Sequence, residues 1–176
     1  QLDFEFEIAA VIGKGGRDIK KEDADTYIAG FIIMNDWSSR KIQMKEMKLN
    51  LGPAKGKDFA TSIGPYLVTQ DELKDKRIKS SDGARYDLNM RGYINDELVS
   101  SDNFKNMTWT FAQIIERVSS GVNVYPGDLI GSGTCGTGCL LELNSTNNTD
   151  IWLKTGDRVK LSVDILGTLN NEVTSN

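Results

Sequence analysis

Only one stretch of this chain repeats its apolar residues with a helical period. Phe111, Ile114, Ile115 and Val118 recur at i, i+3, i+4 and i+7, and Gly121 follows as a stop, so a helix is predicted over 108–120. The other apolar runs are too short for long helices. Leu2, Phe4, Phe6 and Ile8 alternate with Asp3, Glu5 and Glu7, which predicts a strand over 2–12. Phe31 to Met34 reads as a short buried strand ending at Asn35-Asp36. Further strands are expected at Tyr66 to Thr69, at Tyr86 to Ile94 with a turn at Asn95-Asp96, at Asp128 to Gly131, and on both sides of Gly167. A short helix is expected over 22–29, with Gly30 as its stop, and Asn144 to Asp150 reads as a surface turn. Strands outnumber helices, so the fold class is α+β and β-rich. A length of 176 residues, without repeat or linker, fits a single domain.

Composition removes several chemistries. The chain holds no histidine, which excludes from it histidine-based hydrolase triads, HExxH zinc sites and a histidine general base. Its two cysteines, Cys135 and Cys139, cannot complete a four-ligand zinc site and read as packing residues of a reduced, cytoplasmic protein. Metal chemistry must therefore rest on oxygen donors, which points to Mg²⁺, Mn²⁺ or Ca²⁺. A net charge of −4, from 21 basic and 25 acidic residues, argues against nucleic acid as a partner. No apolar run approaches the ~20 residues that a membrane span needs.

Glu5 and Glu7, two apart on a strand, project from one face and are placed to grip a hard cation if a third acid arrives. The competing reading makes Asp3, Glu5 and Glu7 the wet face of a half-exposed strand, and on spacing alone it is the stronger. Asp36 ends an apolar strand, where a side chain enters a pocket from a rigid element, or else it caps a helix that starts at Ser38-Ser39-Arg40. Arg40 and Gln43 share one face of a helical turn expected from Arg40 to Met47. The Gly/Pro/Lys-rich segment Leu51 to Asp58 has few apolar anchors, so metal and ligand rather than packing are expected to order it. The loop Ser132 to Gly138 is rich enough in glycine for its backbone to approach a ligand closely, or it is simply a tight strand connection.

Taken in order, the segments LDFEFEIAAVIGKGGRDI, GFIIMNDWSSRKIQ, LGPAKGKDFATSIGPYLVT, YPGDLIGSGTCGTG and GDRVKLSVDILGTLNN resemble the C-terminal catalytic domain of the fumarylacetoacetate hydrolase family. The motifs that carry the resemblance are E-x-E, N-D-x-S-x-R-x-x-Q, G-K-x-F and P-G-D-x-I-x-x-G-T. It implies a mixed β-roll, a homodimer, and Mg²⁺ (or Mn²⁺ or Ca²⁺) held by Glu5, Glu7 and Asp36. It further implies a substrate pocket lined by Arg40, Gln43 and Thr134, with Lys57 stabilising developing negative charge and Thr61 within reach of metal-held water. The implied substrates are 2-oxo or 2,4-dioxo acids.

The implied reaction is hydrolytic C–C cleavage. The alternatives are a lyase of the same family, acting as sugar-acid dehydratase or oxaloacetate decarboxylase, and a non-catalytic metal-binding or dimerisation module. Family members often carry an upstream His-Glu pair on a mobile lid, so residues 1–176 are expected to be one catalytic domain from a longer chain. Lys41 stands where the family commonly has an acid, and Met47 where some hydrolases have an aromatic.

Overall fold

The computed structural model describes residues 1–175. In chain order its strands are β1 (Leu2–Asp3), β2 (Phe6–Ile12), β3 (Gly16–Arg17), β4 (Ile28–Asp36), β5 (Ser38–Ser39), β6 (Thr61–Val68), β7 (Arg77–Ile78), β8 (Arg85–Tyr86), β9 (Asn89–Ile94), β10 (Glu97–Asn103), β11 (Asn123–Val124), β12 (Leu129–Gly131), β13 (Arg158–Val163) and β14 (Gly167–Glu172). The helices are α1 (Lys21–Ala24), α2 (Arg40–Glu46), α3 (Phe111–Val118) and α4 (Leu140–Asn147). One four-stranded sheet runs β12-β2-β4-β6 and a second runs β10-β9-β13-β14, with antiparallel pairing throughout both. The expected strand-rich α+β class is what the chain adopts.

Alternation in β2 divides its side chains between two environments. Phe6, Ile8, Ala10 and Ile12 enter the main core with Phe31, Ile33, Leu161 and Val163. Glu7 and Ala9 take the opposite face, where Ala9 packs with Ile32 and Met34. Phe31 is the hub of an aromatic cluster, 5.4 Å from the Tyr86 ring, 5.7 Å from Phe104 and 5.4 Å from Phe111. Helix α3 carries a capping box between Thr110 and Gln113 and buries Phe111, Ala112 and Ile115. Its expected stripe is rotated slightly, because Val118 remains 41% exposed. Among the described residues no helix is long and apolar enough to cross a membrane.

Three local expectations are corrected. The helix over 22–29 stops at Ala24, passes through a 3-10 turn at Asp25–Tyr27, and gives way to β4 at Ile28. Gly30 is not its stop. A side chain there would collide with the Val68 carbonyl as β6 crosses, so the glycine serves strand packing. Strand β10 was not anticipated, because an edge strand reading ELVSSDN shows little apolar alternation. Asn144 to Asp150 is no simple surface turn either: α4 runs from Leu140 through Asn147.

Candidate metal centre

The break between β1 and β2 shapes the site. Glu5 lies in that break, and its main chain is locked to the end of β4. Its amide donates to Asn35 Oδ1 at 3.1 Å, and its carbonyl accepts from the Asp36 amide at 3.1 Å. Glu7 projects from β2 opposite Met34, and Asp36 is the last residue of β4. Each of the three contributes a carboxylate oxygen to one group whose members lie within 4.8 Å of one another. Asp36 does not cap α2. Ser39 holds that position, while the Asp36 carboxylate accepts from Lys57 Nζ at 2.9 Å.

Two basic residues thread this acidic cluster. Lys57 Nζ lies 2.6 Å from Glu5 Oε2 as well as reaching Asp36. Arg40 is buried, with Nε 2.8 Å from Asp3 Oδ2 and Nη1 2.7 Å from Glu5 Oε1. The same Nη1 donates to Gln43 Oε1 at 2.9 Å, while Nη2 is buried without a partner among the described residues. With Gln43 Oε1 taken, its Nε2 is the end left to donate. Asp3 is 0% exposed, so the reading of Asp3, Glu5 and Glu7 as a wet face is wrong.

Burial raises the Glu5 carboxyl, but the Lys57 hydrogen bond and the charges of Lys57 and Arg40 outweigh it and hold Glu5 below its ordinary range. Glu7 goes the other way. Burial first, then the Glu5 and Asp36 charges, push it up to about 8, against one amide bond from Gly133 at 3.0 Å. With all four carboxyls ionised (Asp3, Glu5, Glu7 and Asp36), two cations (Arg40 and Lys57) leave a shortfall of two positive charges, one of which Glu7 covers by keeping its proton when no ion is bound. The donor set is hard oxygen. A divalent ion of the Mg²⁺, Mn²⁺ or Ca²⁺ kind fits both the charge and the chemistry.

The glycine-rich loop closes over Glu7. A Cβ on Gly131 would sit 2.5 Å from Glu7 Oε2 and 2.5 Å from Met34 Cε, so any larger residue would displace the tips of both side chains. Thr134 follows on the same loop and is half-buried, and Thr61 pairs with Asp36 across β4 and β6. Cys135 and Cys139 are free thiols; burial pushes Cys135 up to about 12, which agrees with a packing role.

Sequence reasoning missed Glu46. Its Oε2 accepts from the amides of Ala54 at 2.8 Å and Gly56 at 3.1 Å, and its Oε1 from Lys55 at 2.8 Å. One carboxylate on α2 therefore holds the turn that leads into Lys57. The expectation that only metal and ligand order Leu51 to Asp58 is corrected accordingly, because the loop has its own anchor. A Glu46→Ala variant should exchange the 54–56 amides markedly faster and bind oxalate with Mn²⁺ about 10-fold more weakly, as is typical when a supporting shell is lost. Unchanged exchange at those amides would show that the carboxylate does not order the loop.

Over residues 1–174 the chain matches the sequence profile of the fumarylacetoacetate (FAA) hydrolase C-terminal domain. It is 34% identical over 199 residues to a fumarylacetoacetase of Oryza sativa subsp. japonica, covering 92% of this chain and 46% of the relative. Identity to a mitochondrial oxaloacetate tautomerase of Rattus norvegicus is 35% over 176 residues, covering 98% of this chain and 50% of the relative. A solved structure, a probable 2-hydroxyhepta-2,4-diene-1,7-dioate isomerase from Mycobacterium abscessus, matches with a TM-score of 0.79 at 30% identity, over 99% of this chain and 61% of that one. The chain spans about half the length of the curated relatives it matches.

Proposed function

Since the chain belongs to the fumarylacetoacetate hydrolase family by its C-terminal domain, we propose that it is a divalent-metal-dependent enzyme acting on 2-oxo or 2,4-dioxo acids, most simply by hydrolytic C–C cleavage. The observation that carries this reading is the convergence of Glu5, Glu7 and Asp36 around a two-charge shortfall, with Lys57 beside them. Mg²⁺ is the first choice of ion, with Mn²⁺ or Ca²⁺ as substitutes. When bound, it supplies a Lewis acid that polarises the 2-oxo group.

The chain's own residues do the rest. Lys57 Nζ, held between Glu5 and Asp36, supplies a positive charge to the oxygen on which negative charge develops. Arg40 fixes Glu5 and, through Nη1, orients Gln43 so that its Nε2 can donate to the substrate carboxylate. Thr134 offers a hydroxyl from the loop whose Gly133 amide holds Glu7. The reading extends to a homodimer, supported by Ile63, Tyr66 and Leu67 on β6, which stand 44%, 63% and 48% exposed, and to the cytoplasm, with which two free thiols agree.

A second reading has its own support. Water attack on a ketone needs a proton acceptor, and the chain has no histidine, while Glu5 and Asp36 are already engaged by Lys57. Decarboxylation of an oxo acid on the same site activates no water and needs no proton acceptor. Product analysis with an acylpyruvate, oxaloacetate and a 2-keto-3-deoxy acid separates the two readings. Metal binding is tested by Mn²⁺ titration of chelator-treated protein, where Asp36→Ala should weaken binding at least ~100-fold. Parent-like affinity in that variant would remove the site. Oxalate and metal binding without turnover of any of the three substrates would instead leave a non-catalytic module.

A further inference from the structure

The loop that touches Glu7 has a second side. Ser132 to Gly136 form one wall of a cavity of about 330 Å³, whose opposite wall is the end of β10 and the segment that follows it. The two walls belong to one site by covalent continuity: Gly133, which lines the cavity, also donates its amide to Glu7. Thr134, which the proposed site sets against the substrate, lines the same cavity, so the loop connects the anchor to this space, and the volume lies in the range of small-molecule pockets.

The chemistry of the lining is selective. Asn106 presents an amide, while that of Asn103 is spent on Asp87, Asn89 and the Lys105 main chain; Met107 and Trp109 present apolar surface, and Trp109 is 64% exposed and so available to a ligand. Among the described residues that line it none is Lys or Arg. Two cations that contact or belong to this segment are engaged elsewhere. Arg85 donates to the main-chain carbonyls of Lys105, Met107 and Thr108 from behind the segment, and Lys105 pairs with Asp87 at 2.9 Å. One lining residue is an acid. Asp102 accepts from the Gly136 amide at 2.7 Å and from Asn106 Nδ2 at 2.8 Å, so its charge is fixed in the wall between the two sides.

Resting on the reading of Glu5, Glu7 and Asp36 as the anchor of a 2-oxo acid, we propose that this cavity receives the tail of the substrate and selects an uncharged tail over a carboxylate-bearing one. The Asn106 amide satisfies a hydroxyl or carbonyl, and Trp109 and Met107 cover the carbon chain. A tail carboxylate would lose its hydration next to Asp102 without gaining a cation, which is the arrangement by which a site rejects a ligand. Asn106 and Trp109 are the specificity-determining residues.

Calorimetric titration of the Mn²⁺-loaded protein with three probes tests this. Oxalate has no tail, N-propyloxamate has an uncharged one, and N-(2-carboxyethyl)oxamate has an anionic one. The propyl compound should bind at least ~10-fold more tightly than the carboxyethyl compound, the scale of one unfavourable like-charge contact. Asn106→Lys should erase or invert that ratio, and Trp109→Ala should weaken the propyl compound several-fold, both leaving oxalate unchanged. Both positions are exposed, so neither variant threatens the fold. Equal or tighter binding of the anionic tail by the parent protein, with oxalate still bound, overturns the selection. A preference that survives Asn106→Lys unaltered overturns the assignment to this cavity. Failure of oxalate itself to bind is a separate result, and it takes down the anchor and the tail pocket together.

Discussion

Chelator-treated protein should lose roughly 5 kcal/mol of folding stability as pH rises from about 4.5 to about 8, and a Glu7→Gln variant should lose almost none of it. The sign follows from where the proton sits. Glu7 starts from an ordinary value of 4.5 and is pushed up to about 8 in the folded chain by burial and by the Glu5 and Asp36 charges. Below 4.5 both states carry the proton and the group is neutral to stability. Between the two values the unfolded chain releases its proton while the folded chain keeps it, so rising pH favours unfolding; above the upper value the penalty is complete. Glu5 is shifted downward, so its contribution changes on the acid side of this window. Glutamine keeps an oxygen for the Gly133 amide and has no proton to release. Saturating Mn²⁺ should narrow the gap: at 100 times its dissociation constant an ion that binds only the folded state adds about 2.7 kcal/mol, roughly half the penalty, and the variant should gain little. Urea unfolding across this pH range, with and without Mn²⁺, measures all of this. Parallel curves for parent and variant in chelator would mean that Glu7 is ionised without a cation and that its neighbours already compensate it.

Spacing alone favoured Glu5 and Glu7 as a wet face and left Asp36 open as a cap; it was the E-x-E and N-D motifs together that singled out the three carboxylates, and Glu5 meets Glu7 from a break between strands rather than along one. Arg40 and Gln43 were legible from spacing, being three apart on one helical turn. Strand β9 and its turn also followed from local signals, with Asn95 and Asp96 taking φ of 50° and 67°, as a tight hairpin demands.

What stayed hidden depends on contacts far apart in the chain. Helix α4 has Cys139 at its N-cap and no side-chain cap of its own, so neither capping nor periodicity announces it. Its amides are met by Asp3, 137 residues away. Glu46 carries no signal in the sequence, and only the folded loop shows three amides turned toward it. Strand β10 exists because β9 offers it a partner along Asn89 to Ile94, not because its own residues favour a core.

Asp3 is the sharpest case of such a hidden role, and replacing it should cost more stability than any cap on the surface. Its carboxylate is 0% exposed and serves two elements at once. Oδ1 accepts from the Leu140 amide at 2.8 Å, while Oδ2 accepts from the Leu141 amide at 3.0 Å and from Arg40 Nε at 2.8 Å. Asp3→Ala leaves two helix amides without an acceptor and Arg40 with Glu5 as its one remaining acid. Removing one side of a buried pair typically costs about 3–5 kcal/mol, because the charge left behind has no water to turn to. An orphaned buried amide costs about 1–3 kcal/mol on its own, although the two effects share a site and will not add. A loss of about 4 kcal/mol is therefore expected in urea unfolding at neutral pH, a large fraction of a typical domain's stability. The double variant Asp3→Ala with Arg40→Met identifies the cause. If the stranded guanidinium dominates, removing it should return part of the loss, and the double variant will be more stable than the sum of its single changes allows. If the helix amides dominate, the double variant will be no better than Asp3→Ala. A single variant within about 1 kcal/mol of the parent would mean that water reaches Arg40 and α4 once the carboxylate is gone, and that the joint between the first strand and the last helix is looser than its full burial indicates.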